Sequence, residues 1–370
     1  MLFRSNTITY FEQQNANLAS VLGTSQKAIK QLTDEAQRLG ATTQYTASEI
    51  TLLQTELAKL GFTSREILQS AEAVQAFATA TGASLPDAAK LAGAALRSFQ
   101  LDASEMESVV STMGVATAKS ALDFSYLQTA MSTIAPVAKS FGFTIEDTTA
   151  LLGTLANSGF DASSAATATR NILLNLANTS GKLAKRLGEP IHSMDQLIPA
   201  LRQLQSSGVN LAEALELTDK RSVAAFSTFL SGTDTLQNLR EEITGVSDEL
   251  KQMQEERLNT VQGSITLLKS AWDGLLLSFS NSKGAIKTAI DWMTKLINKV
   301  HEWINPPAQT SPWLTQQADQ IKMLEDMQKM SLEKAREFND KLSDTEKQTY
   351  DNWLRLRENA YDRADKEAVE

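Results

Sequence analysis

Glycine recurs in this chain at intervals that suit short helices. Gly40, Gly61 and Gly82 are spaced by 21 residues, and so are Gly93 and Gly114. A glycine in the left-handed position just past a helix closes it, so this spacing predicts helices of three or four turns, each followed at once by another. Ala, Leu, Gln, Lys and Glu fill the intervals, and only seven Pro interrupt them, at 86, 136, 190, 199, 306, 307 and 312. Strong helix formers with so few breakers make the chain all-α. The expected architecture is a compact bundle or array of short capped helices, then amphipathic helical hairpins, then a long polar C-terminal helix.

The punctuation carries its own chemistry. Gly-Phe-Thr/Asp occurs at Gly61-Phe62-Thr63, Gly142-Phe143-Thr144 and Gly159-Phe160-Asp161. Gly ends one helix, Phe packs as a staple, and Thr or Asp caps the next. Thr63 with Glu66, and Thr46 with Glu49, form capping-box pairs; Thr144 with Asp147 is a less ideal one. This is the helix-junction motif of the chain.

Sliding the chain on itself by 98 residues aligns 51–62 with 149–160, and half of those twelve positions are identical. That reads as an internal duplication of a helical hairpin, with the competing explanation that any Ala/Leu helix closed by Gly-Phe looks the same. Small residues dominate from Ala71 to Ala177 and permit close helix approach. Composition changes between Gly181 and Pro190, and a boundary is expected there, separating a conserved-type helical bundle over 1–190 from a second helical region over 191–305.

Beyond Asp219 the helices are expected to lengthen. Val261, Ile265, Leu268, Trp272, Leu275 and Phe279 recur at helical spacing, and Ile286, Ile290, Met293, Ile297, Val300 and Ile304 do so again, as two arms of an antiparallel hairpin. A Pro-containing linker follows over 306–312. From Trp313 to Glu370 there is neither Gly nor Pro, both charge signs are interspersed, and a thin apolar seam reads as an extended polar helix or weak coiled coil.

Composition excludes much chemistry. There is no Cys and only two His, His192 and His301, so disulfides, thiol catalysis, Cys-ligated metals and a His-based metal site are not expected. No cofactor is implied, because phosphate loops, paired-His helices and nucleophile elbows are all missing from the sequence. Glu146 and Asp147 sit in a first helical turn, where acids complement the helix dipole. His192 reads as a loop residue and His301 as a flank of an apolar face. The net charge of -9 and pI near 5.0 argue against specific nucleic-acid binding.

All five Trp fall at 272, 292, 303, 313 and 353. Trp272, Trp292, Met293, Ile297 and Trp303 form the candidate interaction surface, with helix packing as the plainer role for these Trp. Lys287, Lys295 and Lys299 border the same apolar face, so membrane contact through 261–304 is the alternative.

Beyond these local signals, Phe11-Glu12-Gln13 through Val21-Leu22-Gly23, then 32–43, Ala47-Ser48-Glu49-Ile50 and Glu56-Leu57-Ala58-Lys59-Leu60-Gly61-Phe62, resemble the N-terminal region of phage tail tape measure proteins in order and spacing. The likeness continues through 142–147, 156–160 and 169–176, with Asp219-Lys220-Arg221-Ser222 and Ser270-Ala271-Trp272 as later landmarks, covering about residues 8 to 280. The resemblance implies a non-enzymatic structural protein of a phage or prophage tail, acting in tail tube assembly and tail length determination and in genome delivery. It implies self-association and contact with tail tube protein, tail assembly chaperones and tail tip proteins. It also implies residence in the host cytoplasm during assembly and then in the lumen of the virion tail. A membrane-active protein lining a delivery pore is the rival class, and a cell-wall hydrolase the third. Family members usually run on much further, so the chain is expected to be a fragment, a truncated prophage remnant or one piece of a split gene.

Overall fold

The computed structural model describes residues 2–260 together with Gly263, Thr266, Leu267, Ser270 and Leu277. The described residues form α1 (Leu2–Val21), α2 (Lys30–Thr42), α3 (Ala47–Lys59), α4 (Ser64–Thr81), α5 (Leu85–Ser98) and a 3-10 turn (Ala103–Glu105) that leads into α6 (Met106–Lys119). They continue as α7 (Phe124–Ser140), α8 (Ile145–Asn157), α9 (Ala162–Ala177), α10 (Lys182–Leu187), α11 (Met194–Ser206), α12 (Leu211–Leu217), α13 (Val223–Ser231), α14 (Thr233–Glu242) and α15 (Ser247–Leu258). The protein is all-α, and no strand occurs among the described residues.

The helices repeat with a period the sequence concealed. Helices α3, α5, α7 and α9 begin at residues 47, 85, 124 and 162, intervals of 38, 39 and 38. The first three each pair with the helix that follows, as α3–α4, α5–α6 and α7–α8. Helices α1, α3, α5, α7 and α9 pack in that order along one row, and α2, α4, α6 and α8 along a second. A hairpin cannot bury its apolar face alone, so stacking on neighbours builds one continuous core, as in helical solenoids. The 98-residue offset instead superposes the end of α3 on the end of α8, which stand in different rows. What those segments share is their closing chemistry, and the repeating unit is the shorter hairpin.

Glycine therefore has two jobs. Gly61 and Gly82 do close helices, at φ +79° and +77°. Gly40, Gly93 and Gly114 lie inside α2, α5 and α6 instead, against the expectation that each ends a helix. A Cβ on Gly40 would stand 2.3 Å from the Ala47 nitrogen, and one on Gly93 would stand 2.6 Å from Leu60 Cδ1. The missing side chain there lets a neighbouring segment come close, which offsets the roughly 1 kcal/mol that glycine costs inside a helix.

After α9 the chain turns back. Helix α13 packs on α8 and α9, α14 on α8, and α15 on α6 and α4, so the later helices retrace the second row in reverse order. Glycines seat this return. Gly114 in α6 receives Leu250, and Gly153 in α8 receives Leu239; an added Cβ would stand 2.5 and 2.6 Å from their methyl carbons. The core crosses the composition change near residue 190 without a gap: Leu183, Ile191 and Met194 belong to the same buried apolar cluster, and the Ile191 N–H donates to the Leu176 carbonyl at 3.0 Å. All described residues lie in one compact unit, Met1–Ala289. Among them, α13, α14 and α15 are 9, 10 and 12 residues long, shorter than the 18 of α4, so the described helices past Asp219 do not lengthen. The amphipathic hairpin over 261–304 falls almost entirely outside the described residues, and the linker over 306–312 and the helix over 313–370 wholly so.

Candidate functional site

The residues singled out at Gly61, Gly142 and Gly159 form one geometry three times. Each glycine is left-handed, at φ +79°, +84° and +82°. The N–H of the following Phe reaches back to the helix carbonyl five residues earlier: Phe62 to Leu57 at 3.2 Å, Phe143 to Ala138 at 3.0 Å, Phe160 to Leu155 at 3.1 Å. This Schellman closure satisfies carbonyls that the helix end would leave unpaired. Phe62 and Phe143 are fully buried, and Phe160 packs half-buried against the same core. Thr63 and Thr144 then make reciprocal capping boxes with Glu66 and Asp147, while Asp161 accepts from the Ser164 N–H at 3.0 Å. Thr46 and Glu49 close a further box at the start of α3.

Two junctions of the same build escaped the sequence pattern. At Gln100-Leu101-Asp102 the left-handed residue is Gln100, at φ +55°, and Asp102 makes a capping box with Glu105. At Gly208-Val209-Asn210, valine stands where phenylalanine was sought, and Asn210 caps α12. The signal that finds them is the capping residue two places after the left-handed one, not the aromatic between them.

Long-range charges fix these junctions to their neighbours. Arg97 of α5 lies with its guanidinium 4.1 Å above the Phe62 ring, pairs with Glu66 at 2.9 Å, and donates to the Gly61 carbonyl at 3.3 Å. The Thr63 N–H, with Arg97 adding to it, holds the Glu66 carboxyl below its ordinary value. Asp147, expected merely to complement a helix dipole, is almost wholly buried and accepts from Arg240 of α14 at 2.6 Å. Arg240 also reaches Asp195 at the start of α11, at 2.7 Å. One arginine thus ties three helices, and its partners lie 93 and 45 residues away, beyond what local patterning shows.

A cleft of about 260 Å³ lies between two successive junctions, bordered by Phe99, Leu101 and Glu105 on one side and Lys139, Phe143 and Glu146 on the other. His192 sits in a loop, with its N–H donating to Gln196 and its carbonyl where a Cβ on Gly142 would be, 2.4 Å away. No group of three or more His, Asp and Glu that could hold a metal occurs among the described residues. No helix among them is long and apolar enough to cross a membrane. Trp272, Trp292, Met293, Ile297 and Trp303 lie outside the described residues.

The stacked hairpins and the return helices together coincide with a known sequence family. The model of the family described as phage-related minor tail protein matches residues 33–263, more than half of the chain, from within α2 to just past α15. The chain belongs to that family. Among curated relatives, the tape measure protein of Pneumococcus phage Dp-1 is 28% identical over 179 residues, covering 48% of this chain and 16% of that protein. The probable tape measure protein of Escherichia phage P2 is 24% identical over 314 residues, covering 80% of this chain and 38% of that protein. The chain therefore spans well under half the length of either tail protein it resembles. No solved structure matches it. The stacked hairpins, their junctions and the return helices over 33–263 are the architecture of that family region.

Proposed function

We propose that this chain is the folded assembly module of a tape measure protein, which acts in tail tube assembly and belongs to a system for setting tail length and delivering the genome. The observation carrying this is the rise of the stack. Helices pack about 8–10 Å apart, so each 38- or 39-residue hairpin advances the rows by only about that much, roughly 0.25 Å per residue. A single extended helix rises about 1.5 Å per residue. The stack is thus a docking body, and measurement belongs to extended helix elsewhere in a protein of the relatives' length. Residues 313–370 would contribute roughly 90 Å as one helix.

Partners in this reading are further copies of the chain, tail tube protein, tail assembly chaperones and tail tip proteins, met first in the host cytoplasm and then in the tail lumen. Residues 1–190, which stack hairpins, and 191–305, which lead the return, are units of organisation that share a core, with 306–312 a linker to the polar helix. The protein does no catalysis; a clearing band on peptidoglycan zymography would overturn that. The membrane-active alternative rests on 261–304, and flotation of the full chain with anionic vesicles is its test.

The decisive experiment excises one hairpin, residues 85–123, in a phage or prophage that carries the chain. Tail yield should fall, while any tails formed keep their length by electron microscopy. Tails shortened by roughly 60 Å, the length of that segment as straight helix, would make the stack part of the ruler.

A further inference from the structure

Helix α15 is held to the body unlike any helix of the two rows. Of its twelve residues only Leu250 is buried, seated at Gly114 of α6. Met253 packs, partly buried, against the same core, and the remaining attachments are polar and peripheral. Lys251 Nζ pairs with Glu107 of α6 at 2.8 Å, both side chains half-exposed, and Arg257 Nη1 donates at 3.1 Å to the Ala80 carbonyl at the end of α4. No side chain caps its N-terminus. It is joined to α14 by four residues, 243–246, of which Ile243 and Val246 are buried in the core, while Gly245 between them is left-handed at φ +74° with nothing within 4 Å of where a Cβ would stand. The groove beneath α15 is by contrast prebuilt: α4 and α6 pack tightly on each other and on their own rows. Its notch at Gly114 lies 39 residues before the notch at Gly153 that seats Leu239, one period of the stack.

We propose that the groove between α4 and α6 is an exchange interface between copies of this chain. Helix α15 pivots at Gly245 out of its own groove and seats in the same groove of a second copy. The occupant is identified by the structure itself. A second copy offers the same Leu250 to the same Gly114 notch, the same Lys251 to Glu107 and the same Arg257 to the Ala80 carbonyl, so each interaction that breaks within one copy re-forms between the two. Exchange of an identical element has a low cost for that reason, and the change falls on the hinge alone. This inference rests on the reading that the chain self-associates, and adds the surface that does it.

The sequence has no cysteine, so introduced thiols report without background. Full-length chains carrying E107C and K251C separately are co-expressed and treated with a short bismaleimide. Exchange should give a linked dimer several-fold above that from either variant expressed alone. Adding L250D to the K251C chain puts a charge at the seat and should return the dimer to that background, while L250D alone keeps the helical circular dichroism of the wild type. A chain carrying both cysteines that links only within itself, with no dimer from the co-expressed pair, would overturn the proposal. Light scattering of the wild-type chain separates the two readings. A multiple of the chain mass without linked dimer leaves self-association standing through another face, whereas a single-chain mass without linked dimer removes both.

Discussion

The hairpin rows and α15 are both helical, both seated by glycine notches, and built for different purposes. In the rows, consecutive helices are locked by Schellman closures, capping boxes and buried aromatics, so no helix can leave without opening the core. Helix α15 lies on that core through one buried leucine, one partly buried methionine, Met253, one ion pair and one hydrogen bond to a backbone carbonyl. Stability in a helical protein comes mainly from the packed face rather than from helix propensity. A polar helix held by one buried leucine and one partly buried methionine is therefore a removable part attached to a permanent one.

The largest effect is expected in the rows. Phe143→Ala removes a fully buried ring at a junction that also borders the cleft, and should cost about 3–5 kcal/mol by denaturant titration. Leu250→Ala is a deletion at an equally buried position, but α15 can detach, so the loss cannot exceed the small free energy that docks it. Its denaturation midpoint should stay near wild type while proteolysis between 243 and 260 quickens. A loss at Leu250 as large as that at Phe143 would show that α15 belongs to the permanent core.

Next in size is the arginine that joins α8, α11 and α14. Arg240→Ala leaves Asp147 buried with no cation; breaking a buried pair costs about 3–5 kcal/mol, less here because Arg240 is 30% exposed, so about 2–3 kcal/mol is expected. Desolvation opposes the charge on Arg240, and Asp147 and Asp195 more than compensate, so its pKa lies above the ordinary value. Urea unfolding of Arg240→Ala beside Lys251→Ala completes the comparison. The Lys251–Glu107 pair is half-exposed and screened by solvent, so its removal should leave the urea midpoint where the wild type has it.

How much of this was legible in sequence follows the range of each interaction. The capping boxes at Thr46, Thr63 and Thr144 are local, and their residues three apart announce them. The all-α class follows from composition in the same way. The 38- to 39-residue period did not show, because each helix meets its row neighbour through Ala, Leu and Val that many sequences satisfy, and Gln100 and Val209 replace the expected Gly and Phe. Gly93 and Gly114 read as helix ends because sequence does not distinguish a glycine that stops a helix from one that admits a neighbour's leucine. The Arg240 ties are invisible for a similar reason: their partners are distant in the chain, and Asp147 already had a sufficient local explanation.

The smallest effects lie at the caps. Thr63→Ala should cost about 1 kcal/mol, the usual worth of an N-cap hydroxyl, and the loss should appear in global unfolding because α4 cannot detach. The same caps set the response to acid. Backbone and side-chain donors of Thr63, with Arg97, lower the pKa of Glu66; Ser84 and Lys90 lower that of Asp87. A depressed folded pKa means the unfolded chain binds the proton first on acidification. The stabilisation is then complete above the ordinary carboxylate range near pH 4 and is lost as pH falls through the folded values. Wild type should accordingly lose stability gradually below about pH 4, and Glu66→Gln should flatten that slope while weakening the protein slightly at pH 7. The lever is small because both carboxylates are near the surface and screened. An acid slope unchanged in Glu66→Gln would assign the pH response to other carboxylates and leave the junction held by its Schellman closure and the Phe62 ring.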